Sequence, residues 1–337
     1  MKRIWILLLA LLLVLSTTAC KGLYQSLDAI YGQDAQGAAT EAPNGYTAEP
    51  VYVTYTPTYA TAEPMYATDS PVYVTDAPVY VTDAPMQSVP SDGETLIMEN
   101  ADCLFKVTGY TSDSYYCFQI KVYLENKSAT KTYRYTLDDV TVNGLIVSAS
   151  LYQDVLPGKK ATCTVNFSAS SMEEYGITSF TDIGLYYRVY NVDDFSGPDR
   201  VEGVTHVYPY GIDKAIRYAR TPLSADVVLS DTAAATVTAI GYQWDDIYGY
   251  CLYLYITNKT DKNISVTARD VTINGFMQSN AYMGTVRPNA SKYAMIHWSL
   301  DDSGITNVTE LEFTLDISDA DDYYADPLVH QSVKLTA

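Results

Sequence analysis

The sequence DVTVNG at residues 139–144 returns as DVTING at residues 270–275, and this pair of stretches decides the fold. The two differ only at Val142 and Ile273 and lie 131 residues apart. Asn-Gly readily adopts the positive φ angles that a tight hairpin needs, and the β-branched residues before it favour a strand. The chain is therefore predicted to contain the same strand and hairpin turn twice.

Other stretches around this pair also recur, in the same order along the chain. The matches are LENKS 124–128 with ITNKT 256–260, Pro157 with Pro288, GIT 176–178 with GIT 304–306, and DDF 193–195 with DDY 321–323. An ordered set of matches of this kind indicates an internal duplication. We predict one domain at 95–210 (copy one), a linker at 211–222, and a second domain of the same fold at 223–337 (copy two).

Apolar and polar residues alternate along the long segments of both copies, as is typical of half-buried antiparallel strands. The predicted inward residues are Phe118, Ile120, Val122 and Leu124, then Cys163, Val165 and Phe167, with Tyr250, Leu252, Leu254, Ile256, Ala294, Ile296 and Trp298 in copy two. The chain is thus predicted to be all-β, each copy an immunoglobulin-like β-sandwich of about seven strands. One helical turn is expected in each copy, at Ser171–Tyr175 and, shorter, at Asp301–Gly304.

The first twenty residues predict a signal for secretion. Met1 to Arg3 are followed by twelve apolar residues, then by Ser-Thr-Thr-Ala and Cys20, the order of a signal peptide. The cysteine after small residues resembles a bacterial lipobox, which implies lipidation of Cys20 and removal of residues 1–19. The alternative is a secreted protein cleaved near Ala19. Either cleavage removes the apolar segment and leaves no transmembrane helix, and twelve residues are too few to span a bilayer.

Residues 20–94 are predicted to form a disordered acidic stalk. No lysine or arginine occurs between residues 22 and 95, where there are ten acidic residues, and a seven-residue repeat at 50–85 keeps Pro, Tyr and Thr at positions one, three and five. Regularly spaced prolines and mutually repelling acidic side chains favour an extended chain. At about 3.1 Å per residue, the repeats at 50–85 alone reach on the order of 100 Å. The Tyr-bearing face is alternatively a docking strip or a pairing strand. The sequence leaves glycosylation of the stalk open.

Charge and motif content exclude several classes of function. The chain has 40 Asp+Glu against 21 Lys+Arg, a net charge of −19, so a nucleic-acid partner is not expected. Closely spaced Cys or His ligands, nucleophile motifs and glycine-rich phosphate loops do not occur in the sequence, which predicts a protein that is not an enzyme. His206, His297 and His330 are separated by strands, and His206 and His330 are predicted to occupy a repeated structural position.

Acidic loops near the end of each copy are the candidate ligand or cation sites. The residues are Asp193, Asp194 and Asp199 in copy one and Asp316, Asp319, Asp321, Asp322 and Asp326 in copy two. Carboxylate oxygens suit Ca²⁺, although the spacing is not that of an EF-hand loop. The alternative is a solvated loop between strands, and no cofactor is expected beyond this possible Ca²⁺.

The cysteines and tyrosines leave alternatives open. Cys103 and Cys163 share inward parity, so a disulfide between them is allowed in an extracellular setting, or both are small buried thiols. Cys117 and Cys251 fall on outward parity. The outward tyrosines, Tyr123, Tyr253 and Tyr255, are candidates for a binding face or for the interface between the two domains.

The lipobox at Cys20, the low-complexity stalk and the paired NKS/NKT and DVTVNG/DVTING stretches together resemble Gram-positive (clostridia-type) surface lipoproteins with tandem immunoglobulin-like domains. The resemblance covers residues 1–22 and about 96–337 and implies a protein anchored by lipid to the outer face of the cytoplasmic membrane. It supplies no catalytic residues. We expect a non-catalytic surface protein that binds an extracellular protein or glycan. The alternative is a structural component of the cell envelope without an exchangeable ligand, and a transporter's solute-binding lipoprotein is disfavoured because nothing alternates strand with helix.

Overall fold

The computed structural model describes residue 90 and residues 93–300, 303–322 and 324–336. The predicted signal peptide, Cys20 and the repeats at 50–85 lie outside the described residues. Within the described part of the chain, no helix has the length and apolar character that crossing a membrane requires.

Copy one contains nine strands and one short helix. They are β1 Thr95–Glu99, β2 Cys103–Thr111, β3 Tyr116–Asn126, β4 Tyr133–Val142, β5 Leu145–Val147, β6 Leu151–Val155, β7 Lys160–Ser168, α1 Ala169–Glu174, β8 Ile183–Asn191 and β9 Val201–Val207.

A linker with a 3₁₀ turn at Ile212–Lys214 leads into nine more strands. They are β10 Val227–Asp231, β11 Ala235–Asp245, β12 Gly249–Asn258, β13 Ile264–Ile273, β14 Phe276–Met277, β15 Ala281–Val286, β16 Ser291–Trp298, β17 Glu310–Asp319 and β18 Val329–Thr336.

The two copies have the same topology. In copy one, a sheet of order β1-β2-β3-β7 faces a second sheet of order β5-β4-β8-β9, with β6 also paired to β4. In copy two, the orders are β10-β11-β12-β16 and β14-β13-β17-β18, with β15 paired to β13. The predicted all-β sandwich fold is confirmed, with nine strands in each copy rather than about seven. The additional strands include β5 and β14, which are three and two residues long and too short to show alternation in the sequence.

The predicted inward residues form the cores. Phe118, Ile120, Val122 and Leu124 are buried in one cluster, and Leu252, Leu254, Ile256 and Trp298 are buried in another. The pleat places alternate side chains on one face of a strand, so each first sheet presents an apolar face to its partner sheet. The duplication therefore produces two separate cores, one in each copy.

The hairpin that decides the fold is built identically in both copies. Asn143 and Gly144 have φ of 53° and 86°, and Asn274 and Gly275 have 50° and 80°, as a type I′ turn requires. The Asn143 side chain accepts hydrogen bonds from the Thr181 and Asp182 backbone N–H groups. Asn274 accepts the equivalent bonds in copy two. Each asparagine thus fixes a turn and also ties it to the strand that begins beside it.

One end of the sandwich is closed in copy one and open in copy two. In copy one, α1 buries Met172 there, Phe180 stacks on Phe118 at 4.5 Å between ring centroids, and Tyr110 is 5% exposed. The position of Tyr110 is taken by Tyr242 in copy two, where it is 60% exposed. Copy two has three fewer residues in this connection, between Trp298 and Gly304, so it has no room for a helix as long as α1.

The helix itself differs slightly from the prediction. It covers Ala169–Glu174 rather than Ser171–Tyr175, and its counterpart in copy two includes Asp301, which lies outside the described residues.

The predictions for the cysteines require correction. Cys117 and Cys251 are both buried, although the sequence assigns both to outward parity. The pairing of β3 with β7 shifts register between Tyr116 and Phe118, so a bulge removes Cys117 from the strict alternation. Cys251 lies on the outer face between Gln243 and His297, and these larger neighbours cover its small thiol.

The Cys103–Cys163 disulfide, which the sequence left open, is not formed, and both thiols are free. Cys103 lies on β2 and Cys163 on β7, and β3 separates these strands. Two strand spacings already separate the residues by roughly 9.6 Å, and Cys103 pairs with Asn126 of β3 whereas Cys163 pairs with Val122, so they are also offset along the strands. A disulfide requires Cα atoms within about 7 Å.

Candidate functional site

The two copies join through their backbones. The edge strand β16 of copy two lies beside β5 of copy one in a parallel bridge between Ser291 and Leu145. The Ser291 N–H donates to the Gly144 carbonyl oxygen at 2.8 Å. The first sheet of copy two and the second sheet of copy one therefore form one continuous nine-stranded sheet.

Side chains reinforce this contact, which we call the junction. The Arg287 guanidinium donates to the Asp139 carboxylate at 2.5 Å and lies over the Tyr186 ring at 4.8 Å from its centroid. The hydroxyls of Tyr218, from the linker, and Tyr293, from β16, lie 2.8 Å apart. The Tyr218 backbone N–H also donates to the Asn143 carbonyl oxygen at 2.7 Å. The linker is thus part of the junction.

The outer face of the first sheet differs sharply between the copies. In copy two it carries Tyr253 and Tyr255 on β12 and Tyr293 and Met295 on β16. The matching positions of copy one are Lys121, Tyr123, Thr162 and Thr164. Because both sheets have the same register, the difference lies in the side chains and not in the backbone. The face of copy two has therefore become aromatic where that of copy one stays polar.

A cleft of about 660 Å³ opens beside the junction. Four tyrosines line it, Tyr175 from the end of α1, Tyr218 from the linker, and Tyr253 and Tyr293 from copy two. The rings of Tyr175 and Tyr293 stack with centroids 5.4 Å apart and planes 7° apart. We call this the aromatic cleft. It exists only because residues from both copies and the linker meet there.

The polar groups of the aromatic cleft are mostly committed to holding the linker. Arg220 donates two hydrogen bonds to the Asp226 carboxylate, at 2.5 and 2.9 Å, and both side chains are largely buried. Hydrogen bonding to Arg220 lowers the pKa of Asp226, so the pair stays ionised. The remaining walls include Leu223, Ile240 and Met295. The site suits an apolar or aromatic ligand surface with hydrogen-bonding groups at its edge.

The predicted binding tyrosines have three different environments. Tyr255 packs against the core of copy one, which is the interface role that the sequence left open. Tyr253 lines the aromatic cleft. Tyr123 lies between Lys106 and Lys160, whose amines are 5.6 and 5.9 Å from its ring centroid. Tyr123 therefore lies in a charged patch of copy one and does not extend the face formed by Tyr253.

The acidic loops contain carboxylates paired with lysines. Asp199 accepts from Lys131 at 2.6 Å, and Asp319 accepts from Lys262 at 2.8 Å, so the equivalent lysines of the two copies each pair with an aspartate, at different positions of the chain. Hydrogen bonds from Lys262 and from the Asp321 backbone lower the pKa of Asp319. The other acids of copy two have their own partners or face solvent.

These remaining predicted site residues do not converge. Asp321 accepts from Asn263 at 2.8 Å, Asp322 accepts from the Tyr324 backbone at 3.1 Å, and Asp193, Asp194 and Asp326 are exposed. Asp316 accepts from Arg269 and lies 2.6 Å from His330. Among the described residues, no three His, Cys, Asp or Glu side chains are grouped as a metal site would need.

The predicted repeated position of His206 and His330 is wrong. Each histidine lies 2.6 Å from an aspartate, Asp182 and Asp316 respectively. His206, however, is near the end of β9 and beside the start of β8, whereas His330 is near the start of β18 and beside the end of β17. In an antiparallel pair, the end of one strand lies beside the start of the other. The two His–Asp pairs therefore lie at opposite ends of the equivalent strands β9 and β18.

Four residues of the cleft are not predictable from the sequence pattern: Tyr175, Tyr218, Arg220 and Tyr293. Tyr218 and Arg220 fall in the linker, where no alternation identifies a face. A position-by-position comparison of the copies contains a detectable signal for Tyr293, since it replaces Thr162 on an outward position. An outward aromatic in only one copy indicates a contact that the other copy does not make.

The strand pairings define an all-β protein of two joined sandwiches, and the aromatic cleft lies at their junction. No protein-family model matches the chain, and no curated protein matches it. Among solved structures, the crystal structure of red sea bream transglutaminase is similar over 71% of this chain and 31% of that chain, at 10% identity and a TM-score of 0.22. A likeness this distant carries no argument about activity, and the fold assignment rests on the strand pairings.

Proposed function

We propose that the protein is a non-catalytic, lipid-anchored cell-surface protein that binds an extended segment of an extracellular protein in the aromatic cleft. The observation that carries this proposal is the cleft of about 660 Å³ lined by four tyrosines. Its volume is in the range of binding pockets, about 300–1,000 Å³. Tyrosine offers large contact area at low entropy cost, and aromatic-lined grooves are one of the recurring receptors for extended peptide segments.

The asymmetry between the copies supports a binding role for this particular surface. Tyr253 and Tyr293 occupy outward positions that Lys121 and Thr162 occupy in copy one, so the sandwich fold itself does not require aromatic side chains there. Tyr293 is used in the junction, but Tyr253 contributes mainly to the cleft, where its hydroxyl accepts from Gln243 at 2.7 Å. Tyr253 is therefore the residue whose removal tests binding while disturbing the junction least.

The proposed location rests on the first twenty residues. A lipid-modified Cys20 followed by an acidic stalk holds the paired sandwiches away from the membrane, and the two or three lipid chains of a lipoprotein are enough for stable anchoring. Replacing Cys20 with alanine is expected to release the protein into the medium or leave an uncleaved precursor. Retention of a processed Cys20→Ala chain on the membrane contradicts the anchoring proposal.

Binding is tested by retaining proteins from a cell-wall extract on the immobilised full chain. Tyr253→Ala is expected to reduce retention of the bound species at least tenfold, whereas Tyr123→Ala, which removes an outward tyrosine of copy one that lies outside the cleft, leaves it unchanged. Prior digestion of the extract with protease is expected to abolish retention. Retention that survives protease and is lost after glycosidase treatment identifies a glycan and overturns the protein ligand.

The alternative role as a constitutive envelope component makes a different prediction. A structural complex is isolated from cells in stoichiometric amount and does not exchange with added extract. An exchangeable, substoichiometric partner that depends on Tyr253 supports the proposed function. A stoichiometric complex that is insensitive to Tyr253→Ala contradicts it.

A further inference from the structure

The edge of copy two that ends in β14 is exposed, although the same edge of copy one is covered. Leu145 on β5 is 0% exposed, and its counterpart Phe276 on β14 is 55% exposed. Ile146 packs against the core cluster of copy two, and its counterpart Met277 is 68% exposed. Two large apolar side chains thus lie on an unpaired strand edge, which is an exposed contact surface.

Within one molecule, an edge of this type is already covered by another strand. In copy one, β5 is covered by the first residue of β16, the outermost strand of a first sheet, through the Ser291–Leu145 bridge. The outermost strand of the first sheet in copy one is β7, the topological counterpart of β16. Among the described strands, β7 pairs only with β3, so no strand is hydrogen-bonded to its other edge. Lys160 is the first residue of β7, as Ser291 is the first residue of β16.

The part of the chain that the structure describes thus leaves one β14 edge and one β7 edge unpaired, and these are the two kinds of edge that pair in the junction. We propose that copy two of one molecule receives copy one of a second molecule, with the second molecule's β7 beside the first molecule's β14. The contact uses two different surfaces and is therefore head-to-tail, so repeating it extends a row of molecules unless the rotation closes a ring. This inference is independent of the ligand of the aromatic cleft.

The contact between molecules is weaker than the junction within one molecule. The junction uses Arg287 and Tyr293, and the matching residues of copy one are Leu156 and Thr162. The ion pair and the tyrosine contact are therefore missing, and Leu156, which is 59% exposed, joins Phe276 and Met277 as apolar surface. We expect association that is reversible and concentration-dependent, favoured where anchored molecules are crowded on one surface.

Disulfide trapping tests the proposed register. By analogy with Ser291 and Leu145, position 160 of one molecule lies beside position 276 of the next, and paired residues of neighbouring strands are within disulfide range. Full chains carrying Lys160→Cys and Phe276→Cys are mixed in detergent solution and oxidised. The mixture is expected to form at least ten times more linked dimer than either variant alone, because the contact never places a position beside itself.

The control replaces Lys160→Cys by Leu96→Cys, which offers an equally exposed thiol on β1 at the opposite edge of the same sheet. A chain carrying both Lys160→Cys and Phe276→Cys is expected to give a ladder of linked oligomers. Equal cross-linking of the β1 control, or preferential linkage of Phe276→Cys to itself, overturns the head-to-tail arrangement.

Sedimentation of the unlinked chains gives a second measurement. Phe276→Asp and Met277→Asp are each expected to abolish concentration-dependent association. Ile212→Asp, at an equally exposed apolar residue of the linker, leaves it unchanged. Circular dichroism verifies that the variants are folded. An unmodified chain that stays monomeric up to millimolar concentration, or that associates equally well with Phe276→Asp, contradicts the proposal.

Discussion

Replacing Asn143 with alanine is expected to destabilise copy one much more than Asn274→Ala destabilises copy two. The Asn143 side-chain oxygen accepts from the Thr181 backbone and hydroxyl, at 3.1 and 2.8 Å, and from the Asp182 backbone at 3.2 Å. Its amide donates to the Ser179 carbonyl at 2.8 Å. Asn143 is only 4% exposed, so water does not replace these bonds when the side chain is removed.

The size of the effect follows from what alanine leaves behind. Two backbone donors lose their partner in a buried site, at about 1–2 kcal/mol each. Alanine also tolerates the left-handed backbone, φ 53°, less well than asparagine, which adds about 1 kcal/mol. We expect Asn143→Ala to lower the free energy of unfolding by about 4 kcal/mol. Asn274 has the same left-handed backbone, φ 50°, but makes the equivalent bonds in a more exposed setting, so its loss is expected to be about 2 kcal/mol.

Urea unfolding distinguishes the two copies because Trp244 and Trp298, the tryptophans of the described residues, both lie in copy two. Circular dichroism follows both copies and tryptophan fluorescence follows copy two. Asn143→Ala is expected to shift the circular dichroism transition to lower urea, with a smaller shift in fluorescence. Equal losses for Asn143→Ala and Asn274→Ala, or a loss below 1 kcal/mol for Asn143→Ala, would refute the reasoning from burial.

Three further predictions use ionisable groups. Burial raises the pKa of the Cys103 thiol to about 11, so at pH 8 Cys103 is expected to resist alkylation until the protein unfolds, whereas the partly exposed Cys163 reacts earlier; mass spectrometry of the labelled peptides measures the order. Arg220 lowers the pKa of Asp226 below its ordinary 3.8, so this carboxylate stabilises the fold above that pH and the stability is lost as the pH falls through the lower folded value. Asp226→Asn should therefore flatten the acid limb of a melting-temperature profile, and an unchanged limb would contradict the role of the pair. Millimolar Ca²⁺ is expected to leave the melting temperature unchanged because lysines already pair with the acidic loops, and a rise of several degrees that Asp319→Asn removes would show that the loops bind the ion.

The sequence predicted the strands and turns well where the information is local. Alternation assigned Phe118 to Leu124 and Tyr250 to Ile256 to the cores, and Asn-Gly assigned both hairpin turns. It failed at Cys117, where a bulge interrupts the period of two, because a bulge depends on how two strands pair and not on either strand alone.

The candidate site was predictable only in part. Tyr253 and Tyr255 were selected as outward tyrosines, but one lines the cleft and the other packs in the junction. The sequence offered both roles without assigning them. The deciding factor is the distance of each residue from copy one, which depends on where β16 pairs with β5 and is not encoded in the parity of the strand.

The sequence by itself determined that the protein contains one sandwich fold twice, since the long strands and both Asn-Gly turns follow from the pattern of their own residues. The tertiary structure alone decided how the copies meet. Arg287 and Asp139 are 148 residues apart, and Tyr175, Tyr218 and Tyr293 come from a helix end, the linker and an edge strand. No periodicity relates such residues, because their contact is produced by the pairing of whole sheets. The aromatic cleft, which carries the proposed function, is therefore a property of the joined pair of domains and of neither domain alone.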